Sequence, residues 1–192
     1  KRNATSMKPS MRLSCIKCLV LALALAIAGS LAFIYSGLYP VGADDRHTPL
    51  TYWALETLRE RSVAQASSRI NVPTDLDRSE RLLAGGADYN DMCAGCHLKS
   101  GRTESDFTLG LNPAPPNLTQ PKRGEVDLES RAQRRFWTIK HGFKASGMPA
   151  WGPGHDDERI WNMVAFLRRL PELSPEQYQI LTARESADSG HH

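Results

Sequence analysis

The sequence predicts an all-α chain, with one membrane-crossing helix at the amino end and then a small domain of few helices and long loops. Residues 18–39, CLVLALALAIAGSLAFIYSGLY, run for 22 residues without a charge, about the length a helix needs to cross a bilayer's hydrocarbon core. Further along, apolar residues recur at helical spacing between capping residues and Pro or Gly stops. No alternating strand pattern and no internal repeat competes with that reading.

The apolar run could also be a cleaved signal peptide, since Ala26-Ile27-Ala28 resembles a small-residue cleavage site behind basic residues and would leave Gly29 as the mature start. Against this, the run continues for eleven residues past Ala28 and includes Tyr35 and Tyr39, a residue type enriched at membrane interfaces. The expectation is therefore an uncleaved anchor. Lys1, Arg2, Lys8, Arg12 and Lys17 form a basic segment over residues 1–17, and Asp44, Asp45 and Arg46 follow the span. That asymmetry places the amino end in the cytoplasm and exports the rest. The net charge of +3 resides in the leading residues, because from residue 44 onward 19 Lys and Arg stand against 21 Asp and Glu. An exported part so near neutrality has no nucleic-acid footprint.

Residues 40–76 read as a linker containing a helix over 50–70, whose thin apolar stripe of Leu55, Leu58, Ser62 and Ala66 suits a spacer or a segment lying against the membrane or the next domain. Val72-Pro73 ends it. The compact domain is expected over residues 77–184. Within it, SERLLAGGADYNDM (79–92) reads as a helix with Leu82, Leu83 and Tyr89 inward. Gly85 and Gly86 would each weaken an isolated helix by about 1 kcal/mol, which implies that another backbone packs very close. Residues 98–124 read as one long loop of Gly, Pro, Asn, Thr and Ser, long enough to need a functional reason.

A second helix is expected over 128–142, closed by His141 and Gly142, followed by a Gly/Pro loop. Residues 155–171 carry the clearest helical pattern. Asp156, Asp157 and Glu158 occupy the first turn, Arg168 and Arg169 the last, Pro171 is the stop, and Ile160, Met163, Val164 and Leu167 share one face. Ser174, Pro175 and Gln177 open a capped helical extension, and residues 185–192 read as a disordered tail.

The four cysteines form two pairs. Cys15 and Cys18 lie at the edge of the anchor, lack a following histidine, and are assigned no function. In DMCAGCHL, Cys93 and Cys96 stand three apart with His97 directly behind, and the exported part has no further cysteine to pair with them. Zinc would need two more soft ligands, and a thioredoxin-like dithiol would need a βαβ context. Chance produces only about 0.003 such motifs in a chain of this composition. Covalent haem attachment accounts for each part: two thiols form thioethers to the porphyrin vinyl groups and His97 reaches the iron. The porphyrin would also fill the core of a small, loop-rich domain.

For the opposite axial position, Met148 in Gly147-Met148-Pro149 is the preferred candidate, because a loop can hold a thioether rigidly toward the iron. His141 is its rival, although the helix terminus already explains that residue. Met163, on a helical apolar face, reads as core.

Together these residues resemble the class I mono-haem cytochromes c, especially the membrane-anchored bacterial forms. The resemblance covers about residues 79–173. Gly85 and Tyr89 stand where the family has the Gly and aromatic of its first helix, and Met163 and Phe166 look like the matching pair on the last helix. PPNL is similar to the loop whose proline carbonyl accepts the proximal histidine's N–H, which implies Pro116 for His97. GMPAWG is similar to the axial methionine loop, and Trp137 and Trp151 are implied as walls of the haem crevice. Residues 50–70 and the long loop after the motif depart from the minimal fold.

The resemblance implies one haem c and an electron carrier rather than an enzyme, tethered in a bacterial cytoplasmic membrane with its haem domain in the periplasm. It takes electrons from a dehydrogenase or quinol-oxidising complex and gives them to an oxidase or reductase. No small-molecule substrate and no nucleic acid is expected. A haem-bound subunit of a larger membrane complex is one alternative, and an open-site haem enzyme or gas sensor another.

Overall fold

The computed structural model describes residues 9–121 and 127–183, with side chains from residue 14. Most of the expected basic segment (Lys1, Arg2, Lys8 and the Arg12 side chain), the end of the expected loop (122–124) and the tail from Glu185 lie outside the described residues. Every regular element among the described residues is helical. The chain divides into two compact units, Lys1–Asp45 and Arg46–His192.

The first unit is built on α1, Pro9–Ser36. Its Ser14–Ser36 portion is long and apolar enough to cross a membrane, with no residue buried inside the protein. The helix begins earlier than the charge-free run and stops before Tyr39, because Gly37 adopts φ +66, a left-handed conformation that glycine enters without penalty. The Ser36 hydroxyl donates to the Phe33 carbonyl at 2.7 Å, satisfying one acceptor that the helix end leaves open. Cys15 and Cys18 are free and exposed, within α1 and at the start of its Ser14–Ser36 portion.

The second unit opens with α2, Pro49–Ser67, started by Pro49 and by Thr48, whose hydroxyl accepts the Thr51 N–H at 3.3 Å. Its buried residues are Val63 and Ser67, not the expected stripe, for Leu55 and Leu58 are exposed. The reason lies in contacts with a helix far along the chain. α2 packs on α6, Leu128–His141, through an ion pair of Glu60 with Arg134 and through Arg59, which lies 5.5 Å from the Phe143 ring centroid. Gln133 also donates to the Ile70 carbonyl at 2.9 Å. These polar contacts fix which side of a weakly amphipathic helix faces inward.

The core forms where α3, Ser79–Met92, crosses α7, Asp157–Arg169. A Cβ at Gly85 would overlap the Asn162 carbonyl, and one at Gly86 would overlap the Leu181 carbonyl of α8, Pro175–Thr182. Both glycines thus earn their helix penalty back as close backbone approach. Tyr89 and Phe166 pack with ring centroids 5.4 Å apart, and Tyr178 adds a third ring at 6.3 Å from Tyr89. Leu83 departs from the expected inward set, being 52% exposed.

All four α7 residues expected to face inward are buried, and so are Trp161, Ala165 and Phe166. The helix is covered on more than one side, by α3 and by α6, where Phe136 stacks on Trp161 at 4.2 Å. Each large side chain buried there contributes about 1.5–3 kcal/mol relative to exposure. Asp156 caps α7 by accepting the Arg159 N–H at 2.8 Å, and Leu170–Glu172 ends it as a 3₁₀ turn containing Pro171. Ser174 and Gln177 form a capping box on α8.

Gly85→Ala should therefore cost about 3 kcal/mol or more, because the added methyl meets backbone that cannot move aside. Gly110→Ala, with nothing within 4 Å of the added atom, should change stability by less than about 0.5 kcal/mol. Chemical unfolding of the two variants checks the difference.

Candidate haem site

Met92 ends α3, and Cys93 turns the chain into a single helical turn, α4, Ala94–His97. Cys93, Cys96 and His97 therefore lie along one turn, held by the His97 N–H to Cys93 carbonyl bond at 2.8 Å. The next residue, Leu98, is buried with φ +71, a conformation that costs a non-glycine residue roughly 1 kcal/mol. The Tyr89 hydroxyl compensates by donating to the Leu98 carbonyl at 2.6 Å, with the His97 carbonyl at 3.2 Å beside it. Burial pushes the Tyr89 phenol well above its ordinary range, so it stays a donor. The Leu118 N–H adds a bond to the His97 carbonyl at 3.2 Å.

The imidazole itself is aimed by Pro116, whose carbonyl lies 2.9 Å from His97 Nδ1. A carbonyl can only accept, so Nδ1 carries a proton, and in the neutral ring the lone pair then falls on Nε2. A metal-ligating histidine needs that tautomer.

The two thiols are free and partly buried. Desolvation pushes the Cys93 thiol up to about 12, with smaller contributions from Asp88 and Cys96. Among the described residues no three His, Cys, Asp or Glu side chains are grouped to hold a metal ion. Two thiols in one turn, followed by an imidazole whose Nδ1 is held by a carbonyl, do suit a porphyrin bonded at its edge and ligated through its iron.

Met148 lies in the loop after α6, half-buried. Gly142 ends α6 at φ +57, and a Cβ there would come within 2.6 Å of the Met148 carbonyl and 2.5 Å of Pro149. Glycine is thus required for the methionine loop to fold back on its helix. The Phe143 N–H donates to the Met148 carbonyl at 3.1 Å, and the Met148 N–H to Ser146 Oγ at 3.1 Å. Trp151 and Gly152 then donate back to the carbonyls of Ile139 and Lys140 at 3.1 and 3.0 Å. His141 is exposed, with its ring 5.0 Å from Trp137.

Trp137 is engaged with His141 and, at 6.4 Å, with Phe143. Trp151 meets His155 edge-on at 5.4 Å, and His155 Nε2 lies 3.2 Å from the Met92 sulfur. Through this relay the methionine loop reaches the residue preceding Cys93.

Two features escape the sequence reading. The segment read wholly as loop contains α5, Asp106–Gly110, started by a capping box in which Ser105 and Thr108 satisfy each other's backbone. Its signal, Ser105-Asp106-Phe107-Thr108, is present but sits among glycines and prolines. From α5 the Phe107 ring approaches within 3.8 Å of a Cβ position at Gly95, while Leu111 approaches Gly147 at 3.1 Å. This strap links the cysteine turn to the methionine loop. The second feature is the pair of bonds from Arg159 to Asp88, at 2.7 and 2.8 Å, which no local pattern announces.

Comparison with known families agrees with this geometry. The model described as "Cytochrome C oxidase, cbb3-type, subunit III" matches residues 80–167. The matched segment is a class I c-type cytochrome domain. A domain of this family carries covalently bound haem c, and the cysteine turn, the His97 tautomer and the glycine-shaped methionine loop fit that group. Neither curated proteins nor solved structures gave a match.

Tyr89→Phe should leave the Leu98 carbonyl without its donor and cost about 1–2 kcal/mol. Denaturant unfolding should show that loss while the haem stays bound to the protein.

Proposed function

We propose that this chain is a membrane-tethered c-type cytochrome that passes single electrons between protein partners, with His97 and Met148 as axial ligands and its haem domain on the periplasmic side. The observation that carries the ligand assignment is the 2.9 Å contact of His97 Nδ1 with the Pro116 carbonyl, which leaves Nε2 as the donor atom beside two thiols. Haem c, when bound, supplies a one-electron Fe(III)/Fe(II) couple. The residues around it have other tasks. Cys93 and Cys96 fasten the group, Pro116 holds the imidazole ring, and Gly142 with Phe143 holds the methionine backbone. Trp137 and Trp151 stand as crevice walls.

The apolar Ser14–Ser36 helix supports the tether. With both axial positions taken by protein, no substrate need reach the metal, which favours a carrier over an enzyme. The redox partners follow from the same reading: a dehydrogenase or quinol-oxidising complex as donor, an oxidase or reductase as acceptor. The matched family model is described as an oxidase subunit. It favours a second reading, in which the chain works as a haem-bearing subunit of a larger membrane complex. Purification in mild detergent separates the two, since a subunit brings its partners along and a free carrier does not.

Replacement of Cys93 and Cys96 by alanine should abolish haem retention under denaturing electrophoresis, whereas the wild type keeps it. Haem that extracts into acidified organic solvent from the wild type would sink the covalent reading.

Met148→Ala should lose the weak near-red absorption of methionine bound to Fe(III), fall in potential and bind carbon monoxide readily, because a thioether favours Fe(II). Met163→Ala should keep the spectrum and lose about 2–5 kcal/mol, since Met163 is buried against α3. A wild type that already binds carbon monoxide fast, with Met148→Ala unchanged, would replace the carrier by an open-site enzyme or sensor.

A further inference from the structure

One face of α2 lacks a partner among the described residues, although the helix itself is firmly placed. Its inward side is pinned to α6 by the Glu60 and Arg134 ion pair, by Arg59 against Phe143, and by buried Val63 and Ser67. The helix cannot rotate to hide its other side without breaking those contacts. That other side exposes Leu50 (73%), Trp53 (64%) and Leu58 (67%), with Leu55 at its margin also exposed.

The apolar patch is confined to the first three turns. Beyond Leu58 the same face continues as Arg61, Ala64 and Gln65. Its apolar end is also the end nearest, along the chain, to the apolar helix of the first unit, to which only residues 37–48 connect it. A tryptophan accompanies the leucines, and its amphipathic ring favours the boundary between headgroups and acyl chains.

We propose that the Leu50, Trp53 and Leu58 face of α2 docks on the lipid surface of the bilayer that the anchor crosses. This rests on the anchor reading and goes beyond it, because it makes the tether a two-point attachment. A helix so held carries its apolar face in the headgroup region and its polar side toward the protein. The ion pairs between α2 and α6 then fix the haem domain's orientation to the membrane, where a flexible leash would leave it free to tumble.

The test uses the full-length holoprotein in phosphatidylcholine vesicles containing a phospholipid with a photoactivatable diazirine in its acyl chain near the headgroup. Lipid adducts are mapped by mass spectrometry. Adducts should fall both on residues 14–36 and on residues 50–58. Replacing Trp53 and Leu58 together by serine should lower the yield on 50–58 by about fivefold or more, while that on 14–36 and the haem spectrum stay unchanged. Adducts on residues 14–36 alone would overturn the docking and leave the anchor standing. Adducts on neither segment would mean that the anchor reading itself has failed. Adducts on residues 14–36 alone, from a holoprotein that sediments as a dimer in detergent, would assign the face to self-association and overturn the proposal.

Discussion

At Gly85 the α3 backbone lies so near the Asn162 carbonyl of α7 that no side chain fits between them, and contacts along the two helices lock the crossing at that point. Arg81 reaches the Asn162 side chain at 2.8 Å on one side. On the other, Arg159 grips Asp88, and His155 meets Met92. The sequence of contacts runs down α3 toward its carboxyl end, which is where the cysteine turn begins. The cysteine turn is thus positioned by a helix crossing several residues away, and the crossing needs glycine more than it needs any side chain.

From that fixed point the site is shaped mostly by backbone. The Pro116 carbonyl sets the His97 ring, the Tyr89 hydroxyl and Leu118 N–H hold the carbonyls of the turn, and Gly142 brings the Met148 and Pro149 peptides onto the end of α6. The buried aromatic cluster of Tyr89, Phe166 and Tyr178 supplies the apolar support beneath. Ion pairs tie helices to one another, as with Lys140 and Asp157 at 2.5 Å and Arg159 and buried Asp88 at 2.7 Å.

Much of this was legible because certain chemistry has rigid spacing. Covalent haem attachment, as proposed, would need Cys93, Cys96 and His97 in one turn, and the spacing alone already puts them there. The same holds for α7, whose Asp156 cap, terminal arginines and Pro171 stop are local signals. The assignment of Pro116 came from family resemblance, since no spacing rule links it to His97. Reading failed where the deciding contact was distant or weak. The inward side of α2 follows from Glu60 meeting Arg134, 74 residues away, while its leucines, which a periodicity argument prefers, face outward. α5 went unseen because one capping box is a faint signal inside a Gly/Pro-rich stretch. Leu83 was placed inward by composition, yet the α3 face that packs is set by the two glycines and Tyr89.

On the proposed ligation, the reliance on backbone has a functional consequence. An electron carrier works best when ligands keep their places as the metal changes charge, because every atom that moves adds to the barrier. A proline carbonyl and glycine-shaped peptide contacts cannot swing to a new rotamer, and they carry no net charge that would respond to the iron's. Ionisable side chains in those places would both move and titrate. The fold puts its flexible, charged groups where they tie helices together and leaves the two candidate ligands to groups that hardly reorganise. That arrangement suits transfer of an electron without accompanying chemistry.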